Sequence, residues 1–168
     1  VPTLGNVGNA NLGMATRAGA TRAFIGDEAS IVAGNVGLDA AATVRAESSI
    51  SMISIGAVTV AVGATSTTAA QVVREFIGQG ATLTLNGALT MKAAGVLQAV
   101  PTVESLNAGG ISVTAFALDS IVNGVVSVGV GDDAVVSASN VTMQAVANNA
   151  PSVRLDMTGI GAIGVSAI

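Results

Sequence analysis

One phrase, apolar-Gly-x-x-Ala-x-apolar, returns about every 52 residues and constrains this chain more than any other feature. It reads Ile25-Gly26-Asp27-Glu28-Ala29-Ser30-Ile31, then Ile77-Gly78-Gln79-Gly80-Ala81-Thr82-Leu83, then Val130-Gly131-Asp132-Asp133-Ala134-Val135-Val136. Recurrence at such a period is the mark of a solenoid, propeller or array. Neighbouring units then bury one another, and function comes from length and surface more readily than from one catalytic centre.

The residues between these phrases choose the secondary structure. Short runs rich in Val, Ile, Ala and Thr are bounded by Gly, Asn and Asp, which is the strand signature. In the first unit these runs are 21–25, 29–33 and 36–40. In the second they are 72–77, 81–85 and 88–93, and in the third 125–130, 134–138 and 141–145. No long stretch follows a 3.6-residue period, and Gly and β-branched residues are too frequent for helices. Apolar residues make up 51% of the chain but aromatics only 2%, so the interior must be thin layers of small side chains.

The expected fold is therefore all-β: a β-solenoid, or parallel β-helix, of ~52-residue repeats. Residues 1–20 read as an irregular segment or a degenerate first coil. Residues 21–168 read as one solenoid with units at 21–73, 74–125 and 126–168. About six short strands per unit suggest two coils of ~26 residues or three of ~17, stacked at ~4.8 Å. Small apolar side chains are expected to fill the interior. The apolar C-terminal run from Gly159 to Ile168 leads to the expectation that the chain is a segment of a longer one, or is covered by a neighbour.

Composition bears on partners. The net charge is −4, and the cations Arg17, Arg22, Arg45, Arg74, Lys92 and Arg154 are scattered singly, so no nucleic-acid footprint exists. The chain has no Cys, which removes disulfides and thiolate metal sites, and no His, Trp or Tyr. The longest apolar stretch, 53–64, is short of the ~20 residues a membrane helix needs. A transmembrane barrel would carry aromatic girdles, which are missing here. Only 10% of residues are charged, so weakly polar outer faces are expected to favour self-association.

Candidate special positions are corners and stacks. Gly26, Gly78 and Gly131 are expected to align along the axis. Asn35, Asn86 and Asn140 sit at matching corners, where Gly or Asn tolerates a positive φ. Their amides could form a hydrogen-bonded ladder, and simple turn formation is the competing role. Phe24 and Phe76 could stack, but Gly129 interrupts the series, so core filling is the expected role of both rings. The acidic corners Asp27-Glu28 and Asp132-Asp133 are the best calcium candidates. Gln79-Gly80 intervenes, so they are expected to be solvated turn acids, with no cofactor.

Other chemistry fits poorly. Gly129-Val130-Gly131-Asp132-Asp133-Ala134 matches a dinucleotide fingerprint, but a strand-like run follows where a helix is required. Asp39, Glu47, Glu75, Glu104, Asp119 and Asp156 are dispersed, so paired-carboxylate hydrolysis is not expected and the chain reads as a non-enzyme. The Thr rows at 65, 67, 68, 82 and 84 fit β-propensity better than a flat ice-binding array. Asn140-Val141-Thr142 is a formal glycosylation sequon.

The phrase from Ile25 to Ala40, with Gly56 to Ala64 (GAVTVAVGA), resembles the repeats of giant bacterial filamentous-haemagglutinin-like and leukotoxin-like surface adhesins. The likeness extends over most of residues 21–168. It implies a parallel β-helix, export to the cell surface, and a role as stalk, fibre or adhesin, with a host or matrix glycan or protein as possible target. The third unit lacks the Phe and the second lacks the acidic pair. A carbohydrate-binding or polysaccharide-acting module, and a calcium-stabilised surface protein, are the alternatives.

Overall fold

The computed structural model describes residues 6–7, 11–161 and 163–167. Residues 1–5 and 8–10 of the segment expected to be irregular, and 162 and 168 of the apolar C-terminal run, lie outside them. The described residues are all-β, with long parallel strands and no helix. In chain order the strands are β1 (Asn6–Val7), β2 (Asn11–Ile25), β3 (Ser30–Ala33), β4 (Val36–Ile55), β5 (Val58–Ile77), β6 (Thr82–Leu85), β7 (Ala88–Ala108), β8 (Ile111–Val130), β9 (Val135–Ser137), β10 (Asn140–Pro151), β11 (Arg154–Ile160) and β12 (Ile163–Ala167).

They form three parallel sheets. The first contains β1 and β2, both beside β5, followed by β8 and β12. The second is β3-β6-β9. The third sets β4 on one side of β7, with β10 and β11 on the other. The chain visits the sheets in a fixed cycle of short strand, long strand and long strand. Each strand pairs with its counterpart one cycle later, as in Ile25↔Ile77↔Val130 and Leu38↔Met91↔Met143.

Two expectations need correction. The strands are not uniformly short, because β4, β5 and β8 each run 20 residues and β7 runs 21. Nor are partners ~26 or ~17 residues apart. Thr43 pairs with Val96, and Phe24 with Phe76, so one pass around the sheets consumes the whole interval. Gly63, Gly95 and Gly124 lie inside continuous strands rather than at turns. Residues 11–20 likewise run within β2, in register with Gly63–Val72.

The two long sheets face each other and the short sheet closes one end. At that end Ile25, Ile77, Leu83, Leu85, Leu89 and Met91 pack where the three sheets meet, and toward the other end Ile50, Met52, Val103 and Phe116 pack together. The middle is thinner, with Val44, Ala46, Ala69, Leu97 and Ala99 in one cluster and Ala40, Val73 and Ala93 in another. Burial alternates strictly along β5 and β7, as a sheet with one face inward requires. The interior is not uniformly apolar, which corrects a further expectation. At the end remote from the short sheet, Ser54, Thr59, Ser105, Asn107, Ser112 and Thr114 are buried between the long sheets.

Candidate interaction surface

The corner between the first long sheet and the short sheet carries most of the singled-out residues. Gly78 N–H donates to the Ile25 carbonyl and Gly131 N–H to the Ile77 carbonyl, both at 2.8 Å, so Gly26, Gly78 and Gly131 lie in one column. Glycine is required at two of the three. A Cβ on Gly78 would meet the Asp27 backbone nitrogen at 2.5 Å, and one on Gly131 the Gln79 nitrogen at 2.7 Å. Gly26 has open space there.

The positive φ expected at Asn corners falls instead on Glu28 (57°), Gly80 (65°) and Asp133 (58°). These three occupy equivalent places in successive passes. The Asp27 carboxylate accepts the Gln79 backbone N–H at 2.9 Å, which ties one pass to the next. Gln79-Gly80 separates Asp27-Glu28 from Asp132-Asp133 along the stack, and no group of three metal-ligating side chains occurs among the described residues.

At the next corner the amide ladder is interrupted. Asn140 pairs with Ala88, and Ala88 N–H bonds the Asn35 side chain, so Asn35 and Asn140 are level with Ala88. Asn86 lies two residues earlier, donating its backbone N–H to the Ala33 carbonyl. The middle pass holds one more residue at this corner than its neighbours, which displaces Asn86 from the column.

Phe24 and Phe76 stack with ring centroids 5.1 Å apart and planes 6° from parallel. They do so on the outer face, and Phe24 is 58% exposed, which overturns the core-filling expectation. Glu75 takes the inward place beside them. On the same outer face Arg22 is level with Arg74, and Phe76, Arg74, Ser127 and Gly129 line a groove of about 370 Å³. It is open where Gly129 provides no third ring.

Glu75 itself is buried, and neither carboxylate oxygen has a hydrogen-bond partner. Burial pushes its carboxyl above the ordinary range. The Ala40 backbone works against that rise, the Asp39 charge adds to it, and the Lys92 backbone again lowers it. Sequence reasoning placed Glu75 among dispersed acids. Its inward position follows from strand parity with Val73 and Ile77.

The remote corner, built from Gly56-Ala57 and Gly109-Gly110, has a distribution of polarity that sequence reasoning missed. Most of its hydroxyls and amides point inward: Thr59 donates to Ser112 Oγ at 3.0 Å, and the Asn107 side-chain amide donates to Thr114 Oγ1 at 2.7 Å; Thr158, level with Ile53 and Leu106, faces outward. Met52, Ala61 and Phe116 pack inside beside the inward polar groups, while a second set of apolar side chains points outward. Ile53 and Ile55 are 71% and 66% exposed, and Val62, Ile111, Val113, Ile160, Ile163 and Val165 are exposed as well. The available signal was the alternation Ser51-Met52-Ile53-Ser54-Ile55 and Val58-Thr59-Val60, whose parity only the fold resolves. Comparison with family models, curated proteins and solved structures finds no match for this chain.

Proposed function

We propose that the chain is a β-solenoid with one coil per ~52-residue repeat, acting as a structural segment of an extracellular fibre, stalk or adhesin. One observation carries this reading. Every long strand is hydrogen-bonded in parallel to the same strand of the next pass, so the backbone bonds accumulate along one direction. An array of this kind lengthens by adding passes without altering its cross-section. Its corners are tied from pass to pass by backbone and turn-residue hydrogen bonds. The resemblance to bacterial surface adhesin repeats supports placing it outside the cell.

Electron microscopy of the purified chain at high concentration tests the reading. Elongated particles or filaments with an axial spacing of ~4.8 Å are expected. Round, dispersed monomers would count against it. Chelation separates the calcium-stabilised alternative, since the proposed scaffold should melt at the same temperature with and without chelator. Retention on a glycan array would favour the carbohydrate-binding alternative.

A further inference from the structure

The geometry points to the remote corner as a lipid-docking edge, which would lay the molecule against a neutral bilayer surface with its long sheets rising away from it. The inference is independent of the fibre reading and starts from an inverted polarity. In a water-facing corner, polar side chains point out and apolar ones in. Here Ser54, Thr59, Ser105, Asn107, Ser112 and Thr114 are inside, while Ile53, Ile55, Val62, Ile111, Val113 and Ile160 are outside.

The apolar surface wraps the corner. Ile53, Ile55 and Ile160 belong to the outer face of one long sheet; Val62, Ile111 and Val113 belong to the outer face of the other. The turns between them, Gly56-Ala57 and Gly109-Gly110, add no polar side chain. A protein partner with a single flat face covers one side of such a wedge. A fluid acyl layer covers both sides and the tip together.

Where passes adjoin, the turn backbone meets the same requirement; the end strands β4, β11 and β12 have one neighbour each and leave an open edge. A polar group in hydrocarbon must be bonded within the protein. Gly56 N–H donates to the Ala108 carbonyl at 3.0 Å, Ile111 N–H to Ala57 at 3.0 Å, and Gly109 N–H to Ile160 at 2.9 Å. The turns are thus bonded to one another along the stack. A Cβ on Gly109 would overlap the Gly56 carbonyl oxygen, so the close approach that makes these bonds depends on glycine.

The depth and charge of the edge select the kind of surface. From Leu106 to the turn at Gly109, and from Gly110 to Val113, the band is about 10 Å deep, matching the ~5–10 Å reached by interfacial elements; Val62, level with Ala115, lies above it. Glu104 and Asp156, which pair across β7 and β11, form the first charged row above it, and Arg154 follows one step higher. No Lys or Arg lies in the band itself. The carboxylates repel anionic headgroups, so a zwitterionic bilayer is the partner that fits.

Vesicle flotation with the intact 168-residue chain tests this. The chain should float with phosphatidylcholine vesicles, and more weakly with phosphatidylglycerol vesicles at low salt. The double variant Ile55→Asp, Val113→Asp should lose about tenfold or more of the bound fraction, with its far-ultraviolet circular dichroism unchanged. Val96→Asp, on the outer face of β7 away from the corner, should bind like the parent. Because the chain has no Trp, Val113→Trp supplies a second readout: its emission should shift to the blue on adding vesicles, whereas Thr90→Trp should not shift. Absence of flotation on phosphatidylcholine would overturn the proposal. So would flotation undiminished in the double variant, or a self-association without lipid binding that the double variant abolishes. Filament formation is read without lipid, so its failure would leave the lipid result standing.

Discussion

The Oδ1 atom of Asn35 accepts the backbone N–H of Ala88 at 2.7 Å, one pass away along the stack. This bond sits where the register changes. Ala33 pairs with Leu85, a separation of 52, but Val36 pairs with Leu89, a separation of 53. The middle pass has one residue more at this corner, and a side-chain carbonyl supplies the acceptor that a backbone group would otherwise provide. Asn35→Ala should therefore cost about 1 kcal/mol of stability. Asn35→Asp, which keeps an acceptor at the same place, should lose less. Urea denaturation of the two variants checks the difference.

The glycine column offers a contrast within one structural position. Gly78→Ala should destabilise by roughly 2 kcal/mol or more, because the added methyl meets Asp27 backbone and side-chain atoms at 2.5 Å. Gly26→Ala, one pass earlier, meets nothing within 4 Å and should stay within about 0.5 kcal/mol of the parent. Equal losses in thermal melts of the two variants would show that the close approach is not what selects glycine.

Glu28 and Asp133 hold positive φ angles at the place where the middle pass has Gly80. A non-glycine residue in that region carries a cost of about 1 kcal/mol, with Asp tolerating it better than Glu. Glu28→Gly should accordingly stabilise by up to about 1 kcal/mol, and Asp133→Gly by less. A melting temperature that falls in Glu28→Gly would mean that its side chain makes a contribution the turn geometry does not reveal.

Glu75 should give the protein a pH-dependent stability of unusual sign for a carboxylate. Its folded-state pKa is raised by burial, offset in part by the Ala40 and Lys92 backbone and reinforced by Asp39. The folded state therefore holds the proton more tightly than the unfolded chain. Its contribution is fully present below the ordinary carboxylate value and is lost as pH rises through the raised one. Glu75→Gln should flatten that part of the profile and stabilise the protein at pH 7 by about 1–2 kcal/mol. Melting temperatures of parent and variant between pH 4 and 8 provide the measurement.

The recurrence of Gly26, Gly78 and Gly131 was legible because close backbone approach at a corner admits few residue types, and that demand falls on Gly78 and Gly131, which stack on a preceding pass. Strand composition was legible for a similar reason, since Val, Ile and Thr between Gly and Asn suit little else. The length of each strand was not. Alternation looks the same in five residues as in twenty, and a Gly or Asn inside a paired strand is indistinguishable in sequence from one at a turn. Residue parity was equally hidden. In Val58-Thr59-Val60 either face could have been buried, and a one-residue shift exchanges them. The fold turned the Thr inward and the Val outward, as it turned Glu75 inward and Phe24 outward. Local chemistry thus determined that this chain is built from repeated parallel-strand units with glycine corners. Only the tertiary structure decided how far each strand runs and which side of it meets solvent, because those depend on the pairing partner 52 or 53 residues away.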